Sequence, residues 1–250
     1  MNKLIFLDTE TTGNDLKEDR LCQVAYKIEG EEIKTKNFKP TVPISIKAMS
    51  ITNITNEMVE NESAFKGSAM AEELQSLFKD DVLVAHNAKF DIAMLENEGL
   101  EISNYICTLR LARYLDEEQE IPEYNLQFLR YYYAVKFSAG GGSASGGDVE
   151  IVAHSADGDV LVLEAVFKHL YAKAKEKSNN SSHEEIIKRM IDISNKPSLI
   201  RKFAFGKHIG RLTEDVLKED RGYLEWLLRT KKEEGTDEDW IHTLNYYLSK

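Results

Sequence analysis

Two cysteines, Cys22 and Cys107, are all that 250 residues contain. That is too few for a disulfide framework, so a reducing cytoplasm is the expected setting. Long apolar runs are missing too: no stretch approaches the ~20 apolar residues that a bilayer crossing needs. Near the N-terminus Asp8 and Glu10 interrupt anything that could serve as an apolar leader. A soluble protein with no membrane partner is expected. Positive charge is scarce as well, with 32 Lys and Arg against 43 Asp and Glu, a formal net charge of -11 and a pI near 5.1. Proteins that coat nucleic acid through bulk electrostatics carry basic faces, so that class is disfavoured and any polyanion must be met locally. Carboxylate-rich sites can do this through divalent cations, which invert the local charge.

A hydrophobic content of 42% is enough for one good core and a second, small unit. Leu4 to Leu7 is an unbroken apolar run that reads as a strand buried on both faces. Leu21 to Ile28 and Glu32 to Phe38 flank the turn Glu29-Gly30-Glu31 and complete a three-strand meander. Met70, Leu74, Leu77 and Phe78 carry helical spacing, and Val82 to Ala85 is a short strand. Phe90 to Glu98 is a helix ended by Gly99, Tyr105 to Cys107 is a strand, and helices follow near Leu109 to Leu115 and Asn125 to Tyr133. Residues 138–147 contain only Gly, Ser and Ala and read as a flexible loop, equally a native one or an inserted linker. A long helix from Val160 to about Lys177 ends the first unit, residues 1–177. Ser178-Asn179-Asn180-Ser181-Ser182 reads as a domain boundary, and Ser182 with Glu185 has capping-box spacing that starts a new helix, so a smaller C-terminal unit is expected over residues 183–250.

Asp8 and Glu10 follow the buried strand with same-face spacing, where charge is costly unless something pairs with it. Two further clusters carry similar groups: Asp91 in His86-Asn87-Ala88-Lys89-Phe90-Asp91, and His154 with Asp159 in His154-Ser155-Ala156-Asp157-Gly158-Asp159. Singly, each has a bland explanation: Asp8 as a strand-end charge, Asp91 as a first-turn acid favoured by the helix dipole, Asp159 as a helix N-cap. Together, four converging carboxylates would repel one another, whereas hard divalent cations such as Mg²⁺ prefer oxygen ligands. A paired-metal site for in-line phosphoryl displacement, with ions about 3.5–4 Å apart, needs this many carboxylates. His154 has its ordinary pKa near neutrality and is suited to take a proton from the attacking water.

The series Asp8-Thr9-Glu10-Thr11-Thr12-Gly13, His86-Asn87-Ala88-Lys89-Phe90-Asp91 and His154-x-Ala156-x-x-Asp159 resembles the three exonuclease motifs of the histidine-bearing branch of the DEDD superfamily. Cys107-Thr108-Leu109-Arg110-Leu111-Ala112-Arg113 and Ile54-Thr55-Asn56-Glu57-Met58-Val59 are similar to segments common there, and the likeness runs to about residue 175. The resemblance implies an α/β, ribonuclease-H-like mixed sheet flanked by helices, with a small α-rich C-terminal module. It implies 3′-to-5′ removal of nucleotides as nucleoside 5′-monophosphates. By position, Asp8, Glu10, Asp91 and Asp159 would ligate two Mg²⁺ ions, with Mn²⁺ as a substitute, and His154 would be the general base. Thr9, Thr11 and Thr12, with His86 and Asn87, would bind substrate. Asp157 falls outside the pattern, which closes the site with Asp159.

The C-terminal stretch Phe205-Gly206-Lys207-His208-x-Gly210, followed by Asp220-x-Gly222-Tyr223-Leu224-x-Trp226-Leu227-Leu228, is similar to the tail of exodeoxyribonuclease-X-like proteins, which points to DNA as substrate, single-stranded or at duplex 3′ ends. Lys207, His208 and Arg211 give this tail a local basic surface that could guide nucleic acid, while Tyr223, Trp226 and Leu227 read as its small core. Nothing in the motifs reads a 2′-hydroxyl, so RNA 3′ ends are an alternative substrate. A second alternative is a proofreading or scaffold role beside a polymerase or repair factor. A silent nucleic-acid binder is disfavoured because all five functional positions hold competent residues.

Overall fold

The computed structural model describes residues 2–118, 120–135, 156–178, 180–235 and 237–250. The Gly/Ser tract at 138–147 and His154 lie outside the described residues. A five-stranded sheet is built from β1 (Leu4–Thr11), β2 (Leu21–Ile28), β3 (Ile33–Asn37), β4 (Val82–Ala85) and β5 (Tyr105–Cys107), in the order β3-β2-β1-β4-β5. The first three strands form the antiparallel meander read from the sequence, and β1, β4 and β5 run parallel. The sheet is mixed because its first half is joined by short turns and its second half by helical crossovers.

Strand alternation divides the core. Leu4 and Phe6 of β1, with Val82 and Val84 of β4, point to one face, where α7 (Ala156–Glu176) brings Val160, Leu163, Val166, Phe167 and Leu170. Phe6 meets Phe167 edge-on with centroids 5.4 Å apart. Ile5 and Leu7, with Leu83 and Ala85, point to the other face, against Leu74 of α3 (Ala69–Leu77) and Met94 and Leu95 of α4 (Lys89–Asn97). The apolar run Leu4–Leu7 is unbroken because each face meets a helical layer. Two short helices, α1 (Ile46–Thr52) and α2 (Asn56–Val59), precede α3, and α5 (Thr108–Leu115) and α6 (Leu126–Tyr132) follow β5.

The Ser182–Glu185 capping box is present and opens α8 (His183–Ser194). This helix does not belong to a separate C-terminal core: Ile186, Ile187 and Met190 pack into the main cluster, and Ser194 Oγ accepts from Cys107 N at 2.8 Å. The tail's own cluster begins at Ile200 and joins Phe203, Val216 of α9 (Thr213–Glu219), Leu224 and Leu227 of α10 (Arg221–Glu234), and Trp240 and Leu244 of α11 (Glu238–Leu248). The apolar face of α8 thus joins the main cluster, and the tail's own cluster starts at Ile200. A capping box marks where a helix starts and says nothing of which core its apolar face joins. Among the described residues no helix is long and apolar enough to cross a membrane.

Candidate active site

The period of β1 that buries Leu4 and Phe6 toward α7 carries Asp8 and Glu10 onto the same side, and the intervening Thr9 onto the side of α4. Pairing with β4 is described from Leu4↔Val82 to Phe6↔Val84, whereas pairing with β2 continues to Thr11. Beyond Phe6, β1 thus has a strand neighbour on one side. The two carboxylates face a gap at the carboxyl ends of the parallel strands, where the neighbour of β1 changes from antiparallel to parallel, the usual place for a ligand in an α/β sheet.

Asp159, in the first turn of α7, closes that gap from the helical side. It sits inside the helix, which is described from Ala156, rather than as an N-cap, and it is buried, whereas Asp157 is exposed to solvent. One ligand oxygen each from Asp8, Glu10 and Asp159 lies within 4.8 Å of the others. Asp91, in the first turn of α4, stands beside them, its Oδ1 accepting a 2.8 Å hydrogen bond from Thr9 Oγ1. Burial, then Asp91, Asp159 and Glu10, push the Asp8 carboxyl well above the usual range. Burial, then Asp159 and Asp91, push Glu10 up to about 8. Asp91 is pushed up to about 7 by burial, with the Thr9 hydrogen bond pulling the other way. In this arrangement each acid makes ionisation of the next more costly.

Several residues expected at the site are used otherwise. The hydroxyls of the three threonines are bonded inward: Thr9 to Asp91, Thr11 to the Gly13 carbonyl at 2.6 Å, and Thr12 to Asp19 Oδ1 at 2.7 Å. These bonds fold the loop after β1 so tightly that a Cβ on Gly13 would stand 2.4 Å from the Asp19 carboxylate. His86 likewise ties segments together. Its Nε2 reaches the Tyr124 carbonyl at 2.8 Å and must carry the hydrogen, leaving Nδ1 to accept from Thr108 Oγ1 at 2.9 Å. Burial pushes its pKa down to about 4, so the ring is neutral and structural. Asn87, beside it, is exposed in the left-handed conformation at φ 60°.

The basic residues of the tail have acidic neighbours. Lys207 and His208 both bind Asp220 Oδ2, at 2.6 and 2.9 Å, and Arg211 binds Glu219 at 2.6 Å. All three side chains have an acidic partner within the tail, and His208 is buried. Tyr223 and Trp226 stack against each other with centroids 5.4 Å apart, but Trp226 remains about half exposed, so the tail's aromatic core is Phe203 and Trp240 instead.

Two glutamines were not anticipated. Gln127 Nε2 on α6 donates to Asp159 Oδ1 at 2.5 Å, and Gln23 Oε1 on β2 accepts from Ala156 N at 3.1 Å. Gln127 ties the first turn of α7 to α6, and Gln23 ties it to the sheet. No spacing within the chain marks them, because each contact crosses many residues.

The donor set suits a hard divalent cation: it offers carboxylate oxygens alone, close enough to share an ion, with raised pKa values that such an ion would reverse. Asp8, Glu10 and Asp91 form no ion pair with a lysine or arginine among the described residues.

Comparison with known proteins agrees with this geometry. The chain is 28% identical to exodeoxyribonuclease 10 of Escherichia coli (strain K12) over 247 residues, covering 98% of each. It is 37% identical over 121 residues to the PolC-type DNA polymerase III of Thermotoga maritima, covering 44% of this chain but 9% of that much longer protein. Among solved structures, exonuclease X in complex with 5′ overhanging duplex DNA superposes with a TM-score of 0.53 at 24% identity, covering 77% of this chain and 99% of the other. Escherichia coli exonuclease I bound to a dT13 oligonucleotide gives 0.54 at 20% identity, covering 71% and 42%. These neighbours share the ribonuclease-H-like fold, with a mixed sheet between helical layers. The exonuclease family model (RNase_T) matches residues 5–167, which contain every carboxylate of the cluster, and the chain belongs to that exonuclease family.

Proposed function

We propose that the protein is a metal-dependent exonuclease that hydrolyses DNA from the 3′ end and releases nucleoside 5′-monophosphates. The observation that carries this reading is the convergence of Asp8, Glu10 and Asp159 at the end of a buried strand, with Asp91 beside them and burial raising the pKa of Asp8, Glu10 and Asp91. The coverage of 98% of exodeoxyribonuclease 10, tail included, supports DNA as the substrate. Asp8, Glu10, Asp91 and Asp159 would hold two Mg²⁺ ions, or Mn²⁺ in their place. Bound there, the ions would lower the pKa of the attacking water and stabilise charge on the leaving oxygen.

The chain's own residues supply the rest. Thr9 fixes the rotamer of Asp91, and Gln127 fixes that of Asp159, so both carboxylates are positioned before substrate arrives. His154 would accept the proton of the attacking water, since its ordinary pKa lets it be neutral at physiological pH. No covalent enzyme intermediate is required. The reducing cytoplasm is the proposed setting, consistent with the free, buried thiols of Cys22 and Cys107.

The test uses 5′-labelled single-stranded DNA, duplex DNA with a 5′ overhang, and RNA of the same sequence, each with Mg²⁺ or with chelator. The expected result is a ladder that shortens from the 3′ end of DNA and vanishes in chelator. Absence of a ladder on every substrate would overturn the enzyme reading, and faster shortening of RNA than of DNA would overturn the substrate.

A further inference from the structure

A phosphodiester strand that reaches the carboxylate cluster must approach a protein of formal net charge -11. One face of α6 offers a local welcome. Gln127, Arg130 and Tyr131 are spaced three and four residues apart and so share a helix face. That face begins at the cluster, where Gln127 Nε2 bonds Asp159 Oδ1 at 2.5 Å. Arg130 comes next, with Nη1 3.4 Å from Gln127 Oε1 and the guanidinium 5.1 Å from the centroid of the Tyr131 ring.

Tyr131 is 73% exposed, more than the other aromatics of this segment. Phe128 stacks on Tyr132, Tyr132 meets Tyr133 edge-on, and Tyr133 lies against His169 of α7 with centroids 4.0 Å apart. These three aromatics form a chain of ring contacts that ends on α7, although Tyr132 itself is still exposed. Tyr131 joins no ring contact with them and turns the other way, under the guanidinium of Arg130.

We propose that Gln127, Arg130 and Tyr131 form a subsite for a nucleotide upstream of the scissile bond in a single-stranded DNA end, with Arg130 on a backbone phosphate and Tyr131 stacked on a base. This rests on the nuclease reading above. An enzyme that shortens a strand must accept each base in turn, and aromatic stacking does so because every base has a π-face. Arg suits the second task, since its planar fork binds phosphate oxygens while its face lies on an aromatic ring. A stacked base must be unpaired, so the subsite favours a single strand. Continuity with the cluster through the Gln127–Asp159 bond puts the subsite beside the reacting phosphate.

The experiment titrates the full chain into a 5′-fluorescein oligothymidylate, reading anisotropy with Ca²⁺ in place of Mg²⁺. Tyr131→Ala is expected to weaken binding about tenfold, which corresponds to about 1.4 kcal/mol and falls within the measured range of base stacking. Tyr131→Phe keeps the ring and stays within about twofold of the parent. Arg130→Gln lowers the slope of log affinity against log salt by about 0.7, the release expected for one phosphate contact on a single strand. Tyr114→Ala, at a partly exposed tyrosine of α5 far along the sequence from this face, serves as the comparison and leaves affinity as it was. Equal affinities for Tyr131→Ala and Tyr114→Ala, or no binding of the oligonucleotide by the parent, would overturn the subsite. Binding without any Mg²⁺-dependent shortening would overturn the nuclease reading, while the same titration would still decide the subsite.

Discussion

Buried carboxylates occur in two settings in this molecule, and they are treated in opposite ways. Asp239, in the first turn of α11, has each oxygen doubly bonded: Oδ1 accepts from Arg110 at 2.7 Å and Ser198 N at 3.0 Å, and Oδ2 from Arg113 and Ser198 Oγ at 2.8 Å each. Glu164, further along the same helix as Asp159, is held by Lys27 at 2.5 Å and Lys168 at 2.7 Å. Burial raises the Glu164 pKa, but the two lysines outweigh it and the net shift is downward. Asp91 is buried and Asp8 and Glu10 are partly buried, yet their neighbours are acids and their shifts are upward. The first group holds the structure together; the second group has no lysine or arginine paired with it among the described residues and suits a bound cation. A fold that neutralises Glu164 with its own lysines could have done the same at the strand end, so the omission there identifies a site.

The sharpest way to break this contrast is to remove one acid from each group. Asp8→Asn keeps the size of the side chain and removes its charge. Degradation of single-stranded DNA should fall by about 10³-fold or more, which corresponds to about 4 kcal/mol of lost transition-state stabilisation. Without metal, the same variant should melt above the parent, because a repelling charge has gone. Thermal melting in chelator, read beside the degradation assay, tests both halves. A variant that keeps its turnover, or that melts below the parent, would make Asp8 an ordinary structural acid.

Asp239→Ala is the opposite case. It should leave the carboxylate cluster intact but take one of two acids from Arg110, which keeps Glu238, and remove the acid that Arg113 binds. Removing one partner of a buried pair leaves an uncompensated charge and costs about 3 kcal/mol. Because Asp239 lies on α11 and Arg110 on α5, the loss should also loosen the tail from the sheet. Chemical denaturation together with limited proteolysis measures this. A loss below about 1 kcal/mol would show that the tail is held by apolar contact alone, as exposed ion pairs contribute no more than that.

How much of this was legible in the sequence depends on whether the signal was local. β2, β4 and β5 end where expected because apolar runs buried by a helical layer stop abruptly at polar residues, and β1 starts where its run starts. Asp8 and Glu10 were legible for the same reason, since a strand's period alone puts them on one side. Asp159 could be preferred over Asp157 through the motif, and burial now separates the two. What could not be read is whatever one long-range contact decides. Nothing local says that α8 turns its apolar face to the main core, that Gln127 reaches Asp159, or that Lys207, His208 and Arg211 have acids waiting in Asp220 and Glu219. His86 sat in a motif and turned out to bind a carbonyl across the fold, at Tyr124.

The smallest expected effect separates the two groups by pH. In the metal-free protein the folded pKa values of Asp91 and Glu10, about 7 and about 8, lie above their ordinary values of 3.8 and 4.5. Between about pH 5 and about pH 8 the folded state therefore keeps protons that the unfolded chain has released, and stability falls as pH rises. Their contribution is fully present below the ordinary carboxylate range and is lost as pH passes through the folded values. Glu164 behaves in reverse: with its folded pKa lowered, its stabilisation holds above the ordinary value of 4.5 and is lost only in more acid solution, outside that window. Melting temperature in chelator should thus decline from about pH 5 to about pH 8. Saturating Mg²⁺ binds the ionised carboxylates of the folded state, so the decline should flatten or reverse and the two curves should diverge most at the alkaline end. Parallel curves with and without Mg²⁺ would mean that no cation binds the ionised cluster, and the distinction between the neutralised acids and the waiting ones would fail.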